Sequence, residues 1–136
     1  MTTQAIARQN DALPDGATIP QTLDLPPLLG EWRNTNPNTG EIARLTVQLV
    51  DGQLSLEIFG AGADGLIPWG TAPILVYAAS MTSDQVLGME SRYDFGFMVS
   101  LLALNYAKGV LVIQSYNRFN DDSGRPNYFT REFFHQ

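Results

Sequence analysis

The chain has 136 residues, of which 8 are Lys or Arg and 14 are Asp or Glu, for a formal net charge of −6. Hydrophobic residues make up 44% and charged ones 16%, the composition of one domain that buries a core and not of a disordered segment. The acidic balance, with basic residues that never form a run, excludes a nucleic-acid groove and makes a membrane surface an unexpected partner, and the lack of cysteine removes disulfides, thiolate metal sites and cysteine nucleophiles.

The single histidine is His135. The usual zinc sites and Ser-His-Asp chemistry therefore lack their parts, and neither a metal nor a cofactor is expected. Met1-Thr2-Thr3-Gln4-Ala5 has no basic start followed by an apolar run, so it does not read as a secretory signal. No stretch approaches the ~20 apolar residues of a membrane helix. A cytoplasmic protein is the expectation.

Residues 1–27 read as an N-terminal arm. Ile6 to Leu13 has room for a turn or two of helix, after which Pro14, Pro20, Pro26 and Pro27 prevent anything longer. The arm is either a free tail or a segment that docks over a barrel mouth or a neighbouring subunit through Ile6, Leu13, Ile19, Leu23 and Leu25. Residues 28–136 form the folded domain. Its first strand runs from Gly30 to Asn34, with Trp32 as a floor. Asn34 to Gly40 is turn chemistry.

The second strand, Ile42 to Val50, alternates Leu45, Val47 and Leu49 with Arg44, Thr46 and Gln48. Asp51-Gly52 is a strong hairpin signal. A two-residue loop there pairs Leu49 with Leu54, Val47 with Leu56 and Leu45 with Ile58, so alternation and turn agree on one register. Gly60 to Gly65 reads as a flexible loop, followed by Leu66-Ile67-Pro68-Trp69-Gly70. No Lys-Ser or Lys-Thr follows it, so it is not a phosphate loop. Strand four is expected near residues 73–78, strand five over 86–93 and strand six over 95–106. Lys108-Gly109 is a second tight turn, pairing Tyr106 with Leu111, Leu104 with Ile113, Leu102 with Ser115 and Ser100 with Asn117. Strand seven ends near Phe119. Residues 120–127 form an exposed loop whose Asp121 and Asp122 lack the calcium-loop spacing, and Tyr128 to His135 is the last strand.

The connections leave no room for crossover helices, so a parallel sheet is excluded. The expected fold is all-β: an eight-stranded antiparallel up-and-down barrel with an N-terminal extension, closed first strand to last to remove its edges. A bore of that size is filled by side chains or holds one small ligand.

Gly30-Glu31-Trp32 resembles the opening of the lipocalin and avidin group of calycin barrels, whose Gly-x-Trp strand closes one end. Trp32-Arg33-Asn34 also resembles the avidin opening. The resemblance covers strand count and meander order over residues 28–135. It departs from lipocalins in lacking disulfides and a secretion signal, and from avidins in having Trp69 as the only other tryptophan. Trp-x-Asn, Trp-Gly and Ser-Gly-Arg-x-x-Tyr also resemble uncharacterised bacterial proteins, which bring no function with them.

If Leu45, Leu54 and Leu104 point inward, so do Ser100, Ser115 and Asn117. Strand five offers Leu87, Met89, Ser91 and Tyr93 on that face, and strand four adds Tyr77. An apolar lining with a few hydroxyls and amides orients a small ligand. The alternative is that these groups satisfy one another or buried water in a filled barrel. Trp32 is core with a secondary role as a ligand floor, and Trp69 either gates the mouth or pins its own loop. The inward face of the last strand is ambiguous. If Glu132 faces in, it is the best candidate acid or base, with Tyr116 a second.

Phe97, Val99, Leu101 and Ala103 make the outer face of strand six apolar as well. A homodimer through strand six or a docked arm is expected to cover it. The leading reading is a barrel binding a small, mostly apolar molecule in its interior. The second is a cofactor-independent cyclase, isomerase or cycloaddition catalyst that works by positioning. The third is a ligand-free structural or assembly module.

Overall fold

Asp51 and Gly52 carry φ of 52° and 79°, and Lys108 and Gly109 carry 51° and 81°. Two successive positive φ values make the turn whose twist matches a right-twisted strand pair. The computed structural model describes residues 23–136. The helical turn expected over Ile6 to Leu13, and the apolar positions Ile6, Leu13 and Ile19, lie outside the described residues.

The strands are β1 (Gly30–Asn34), β2 (Ile42–Val50), β3 (Gln53–Gly60), β4 (Ile67–Pro73), β5 (Leu75–Ala78), β6 (Val86–Asp94), β7 (Met98–Ala107), β8 (Val110–Phe119) and β9 (Tyr128–His135). They form one antiparallel sheet in the order β4-β3-β2-β1-β9-β8-β7-β6-β5, a nearly closed barrel. Both hairpins take the register that alternation and turn chemistry predict, with Leu45 opposite Ile58, Leu102 opposite Ser115 and Ser100 opposite Asn117.

The sheet has nine strands where eight are expected, because the fourth stave changes partners midway. Residues 67–73, expected as loop and turn, pair with β3. The Ile74 amide donates the last bond to Leu54 O (3.1 Å), and from Leu75 onward the chain pairs with β6. Pro68 and Pro73 have no N–H, and proline is tolerated where one side of a strand has no ladder to serve.

No ladder joins β4 to β6, and side chains span the gap instead. The Ser91 hydroxyl donates to Pro73 O (2.9 Å), and the Tyr93 hydroxyl lies within hydrogen-bond distance of Gly70 O (2.9 Å) and Leu56 O (3.1 Å). Burial is the main reason the Tyr93 phenol is pushed above its ordinary pKa, with the Glu57 charge second.

Meander order puts the turns at 51–52 and 108–109 and the connection 79–85 at one end, the floor. The loops 35–41, 61–66, 95–97 and 120–127 lie at the other, the mouth. The floor is plugged. A single 3₁₀ turn, Pro26–Leu28, buries Leu28, and the Trp32 indole N–H donates to Leu28 O at 2.9 Å. Trp32 meets Tyr106 edge to face at 5.9 Å. Residues 23–27 of the expected arm thus sit at the floor, away from the mouth, with Asp24 bridged to Gln85. Above the plug, Leu45, Leu56, Ile58, Leu102 and Ile113 show 0% exposure. No water-sized space touches these side chains, from outside or within, so the bore is solid at that level.

The hydroxyl bonds across the gap set the first prediction. Y93F removes both Tyr93 contacts and is expected to lower stability by about 1–2 kcal/mol. S115A removes a hydroxyl with no hydrogen bond among the described residues and is expected to change stability by less than about 0.5 kcal/mol. Urea denaturation of the two variants checks the contrast.

Candidate functional site

Toward the mouth, inward side chains gain access to water and change in kind. One side is aromatic. Trp69 occupies a β-bulge of β4 and lies against Gly60, where an added Cβ would come within 2.5 Å of its indole nitrogen. A side chain at residue 60 would therefore unseat it. Trp69 meets Tyr93 at 5.7 Å and Phe95 at 5.3 Å, both edge to face. The arc continues through Phe97 and Phe119 to Tyr128. Arg125 lies over the Phe119 ring, 4.2 Å from its centroid. Asp121 holds Arg125 there at 2.8 Å, and the Ser123 hydroxyl, first, with Arg125 after it, keeps the Asp121 carboxyl below its ordinary pKa. The loop read as lacking a calcium pattern is thus an arginine clamp.

The opposite side is polar. Ile113 lies opposite Glu132 across β8 and β9, which puts Glu132 on the inward parity with Tyr128, Thr130 and Phe134. The Glu132 carboxylate accepts from Asn34 Nδ2 (2.8 Å), from the Thr39 hydroxyl and from the Ile42 amide (3.2 Å). Asn34 also donates to Ile42 O at 2.8 Å. β1 pairs with β9 only at Arg33–His135 and Asn34–Phe134. Beyond that point Glu132 ties the β1–β2 loop and the start of β2 to β9. Its acceptor capacity goes to holding this part of the wall together.

The titratable pair left at the rim is Tyr128 and Glu41, whose hydroxyl and carboxylate meet at 3.2 Å. Glu41 is raised above its ordinary pKa, chiefly by burial, with the Glu132 charge adding and the Tyr128 bond opposing. Tyr128 is raised by burial first and then by Glu41.

Between these sides sits Asn117, 4% exposed. The Ser100 hydroxyl donates to its Oδ1 at 2.6 Å, while its Nδ2 is buried without a partner among the described residues. Ser91, Tyr93, Ser100, Ser115 and Asn117 all face inward and are buried, as is Met89. Trp32 lies at the floor and Trp69 at the mouth.

The structure does not bring Tyr77 or Tyr116 to this group. Each is 50% exposed on the outer face, Tyr77 bonded to Glu90 and Tyr116 against Phe129. Tyr116 lies between the inward Ser115 and Asn117, so strand parity turns it out. Tyr77 pairs with Gly88 on the outward parity. Leu87, expected inward, is 40% exposed, because the register shift at Tyr77/Ala78 leaves it as the extra residue of a bulge.

Glu41, Thr39 and Phe95 are not among the residues the sequence points to, and Arg125 and Tyr128 enter there only within Ser-Gly-Arg-x-x-Tyr, with no role at a site. Only Tyr128 carried a usable signal, since it shares the i, i+2 parity of Thr130 and Glu132. Among the described residues no three His, Cys, Asp or Glu side chains group to hold a metal ion, and no helix is long and apolar enough to cross a membrane. No protein-family model matches the chain, and no curated protein matches it.

E132A leaves Asn34, Thr39 and the Ile42 amide without their shared acceptor. It is expected to cost about 2–3 kcal/mol, with the β1–β2 loop gaining hydrogen exchange before the rest of the barrel.

Glu41 gives a pH prediction. Its folded-state pKa is raised above 4.5, so the folded chain retains a proton that the unfolded chain has released. Its contribution to stability is therefore lost as pH climbs from 4.5 through the raised value. E41Q keeps an acceptor for Tyr128. It is expected to flatten this part of the Tm–pH curve and to raise Tm at neutral pH.

Proposed function

We propose that the mouth of this barrel takes a small, mostly apolar molecule carrying a hydrogen-bond acceptor, in the manner of a calycin-type binding protein. The observation that carries this reading is the unpartnered amide of Asn117. Its oxygen is committed to Ser100, which fixes the direction of the Nδ2 donor. A buried donor left without an acceptor costs about 1–3 kcal/mol, and a ligand carbonyl placed there recovers it. The rings of Trp69, Tyr93 and Phe95 offer flat apolar contact beside it. The solid lower bore confines such a ligand to the upper half.

A second reading is supported by the Tyr128–Glu41 pair. A phenol and a carboxyl held above their ordinary pKa values at the mouth of the barrel can exchange a proton with a bound substrate. In that reading the barrel is a cofactor-independent cyclase or isomerase. Turnover of a candidate substrate that survives both E41Q and Y128F removes it.

Nile red tests the binding reading, being neutral and apolar with a carbonyl acceptor. Titration is expected to be saturable, to quench Trp69 emission, and to weaken about tenfold in N117L, the equivalent of one lost hydrogen bond. Y116S on the outer face should leave it unchanged. Binding that vanishes in Y116S and survives N117L places the probe on the outer face and overturns the proposal. Absence of saturable binding, together with no co-purifying mass in native mass spectrometry, leaves a ligand-free module with water on Asn117.

A further inference from the structure

The outside of the barrel is of two kinds. Outward positions on β2 and β3 are mostly polar, Arg44, Thr46, Gln48, Gln53, Ser55 and Glu57, with Val50 and Phe59 the apolar exceptions. On β6 to β9 one row of paired outward residues reads Arg92, Leu101, Tyr116, Phe129. The next row toward the floor reads Glu90, Ala103, Gln114, Arg131. Leu101, Tyr116 and Phe129 are 40%, 50% and 47% exposed. They border a groove of ≈ 440 Å³ floored by Val99 and Leu101. Among the described residues, Arg92, Arg118 and Arg131 have no carboxylate partner, while Arg33, Arg44 and Arg125 do. Three of the four cations without a carboxylate partner among the described residues thus lie on this most apolar face, the fourth being Lys108 in the β7–β8 turn.

We infer that this face packs against a second copy of the chain, about a two-fold axis lying in the interface and running along the strands. Charge complementarity selects the occupant. That axis lays β6 of one protomer over β9 of its partner, and β7 over β8. Glu90 then meets the partner's Arg131, and Arg92 lies over the ring of the partner's Phe129. Leu101 receives the partner's Tyr116, so the half-exposed tyrosine of each copy enters the groove of the other. Every contact occurs twice, as an isologous interface requires.

The size is also sufficient. Four strands at about 4.8 Å spacing and four outward rows about 6.8 Å apart span roughly 19 by 27 Å in plan. The projecting rings and guanidinium groups raise this toward the about 800 Å² per partner of a standard interface. The groove runs up to Asn117, Asn127 and Tyr128 toward the mouth, and the two readings are told apart by their measurements, oligomeric mass for this one and probe titration for the other.

Light scattering after size exclusion, on the full chain across the micromolar range, tests it. The expected mass is that of two chains. L101E should give one-chain mass with an unchanged circular dichroism spectrum. E90R and R131E should each weaken association by about tenfold, and E90R/R131E should restore it. One-chain mass at every concentration, or a dimer that survives L101E, overturns the inference. So does failure of the double charge swap to rescue. A one-chain species that dimerises only after residues 1–22 are removed also overturns it, by showing that the N-terminal segment occupies the face.

Discussion

Parity along the strands is the constraint from which everything else follows. Asp51-Gly52 and Lys108-Gly109 hold four successive-pair residues at positive φ, and each turn locks one hairpin into a single register. A slip of one residue in β7–β8 would send Ser100 and Asn117 to the surface and draw Leu101 and Tyr116 into the bore. The dry lower core, the polar mouth and the apolar outer face are three readings of the same alternation.

Closure depends on side chains where the backbone ladder stops. Ser91 and Tyr93 bridge β6 to β4 on one flank. Glu132 gathers Asn34, Thr39 and the Ile42 amide on the other. This division of labour shapes the chemistry at the mouth. The carboxylate best placed for acid–base work is the one most committed to holding the wall together. What remains for a visitor is the Asn117 donor, the Tyr128–Glu41 pair and a crescent of rings. Such a site suits recognition by shape and one directed hydrogen bond.

The parts of the fold legible in the sequence are those where two signals coincide. Alternating leucines and valines beside Asp51-Gly52 specify Leu45 opposite Ile58, and Lys108-Gly109 specifies Ser100 opposite Asn117. Inward placement of Ser91, Ser100, Ser115 and Asn117 follows directly. Where one signal stands alone, the reading fails. Residues 67–70 hold a proline and a glycine and look like a loop, yet they form a strand, and their second edge carries no ladder. Leu87 obeys simple alternation and is displaced by a bulge that leaves no mark in the local sequence. Phe133 and Phe134 are equally apolar, so the face of Glu132 is set only by its pairing with Ile113. The Glu132 bonding partners come from β1, β2 and the loop between them, and no local pattern announces such a meeting.

The stave that changes partners at Ile74 gives the wall a line of weakness. Apart from the short β1–β9 contact, the other adjacent staves are zipped by rows of amide–carbonyl bonds that open cooperatively. Between Gly70 and Tyr93, and between Pro73 and Ser91, single hydroxyls carry the joint. A hydroxyl can rotate to a water molecule without disturbing its neighbours, so this joint yields before any zipped pair does. The barrel wall therefore has one lateral seam without a backbone ladder, held by two hydroxyls and by the Trp69 ring against Tyr93. The seam lies toward the mouth, at the opposite end from the turn that plugs the floor.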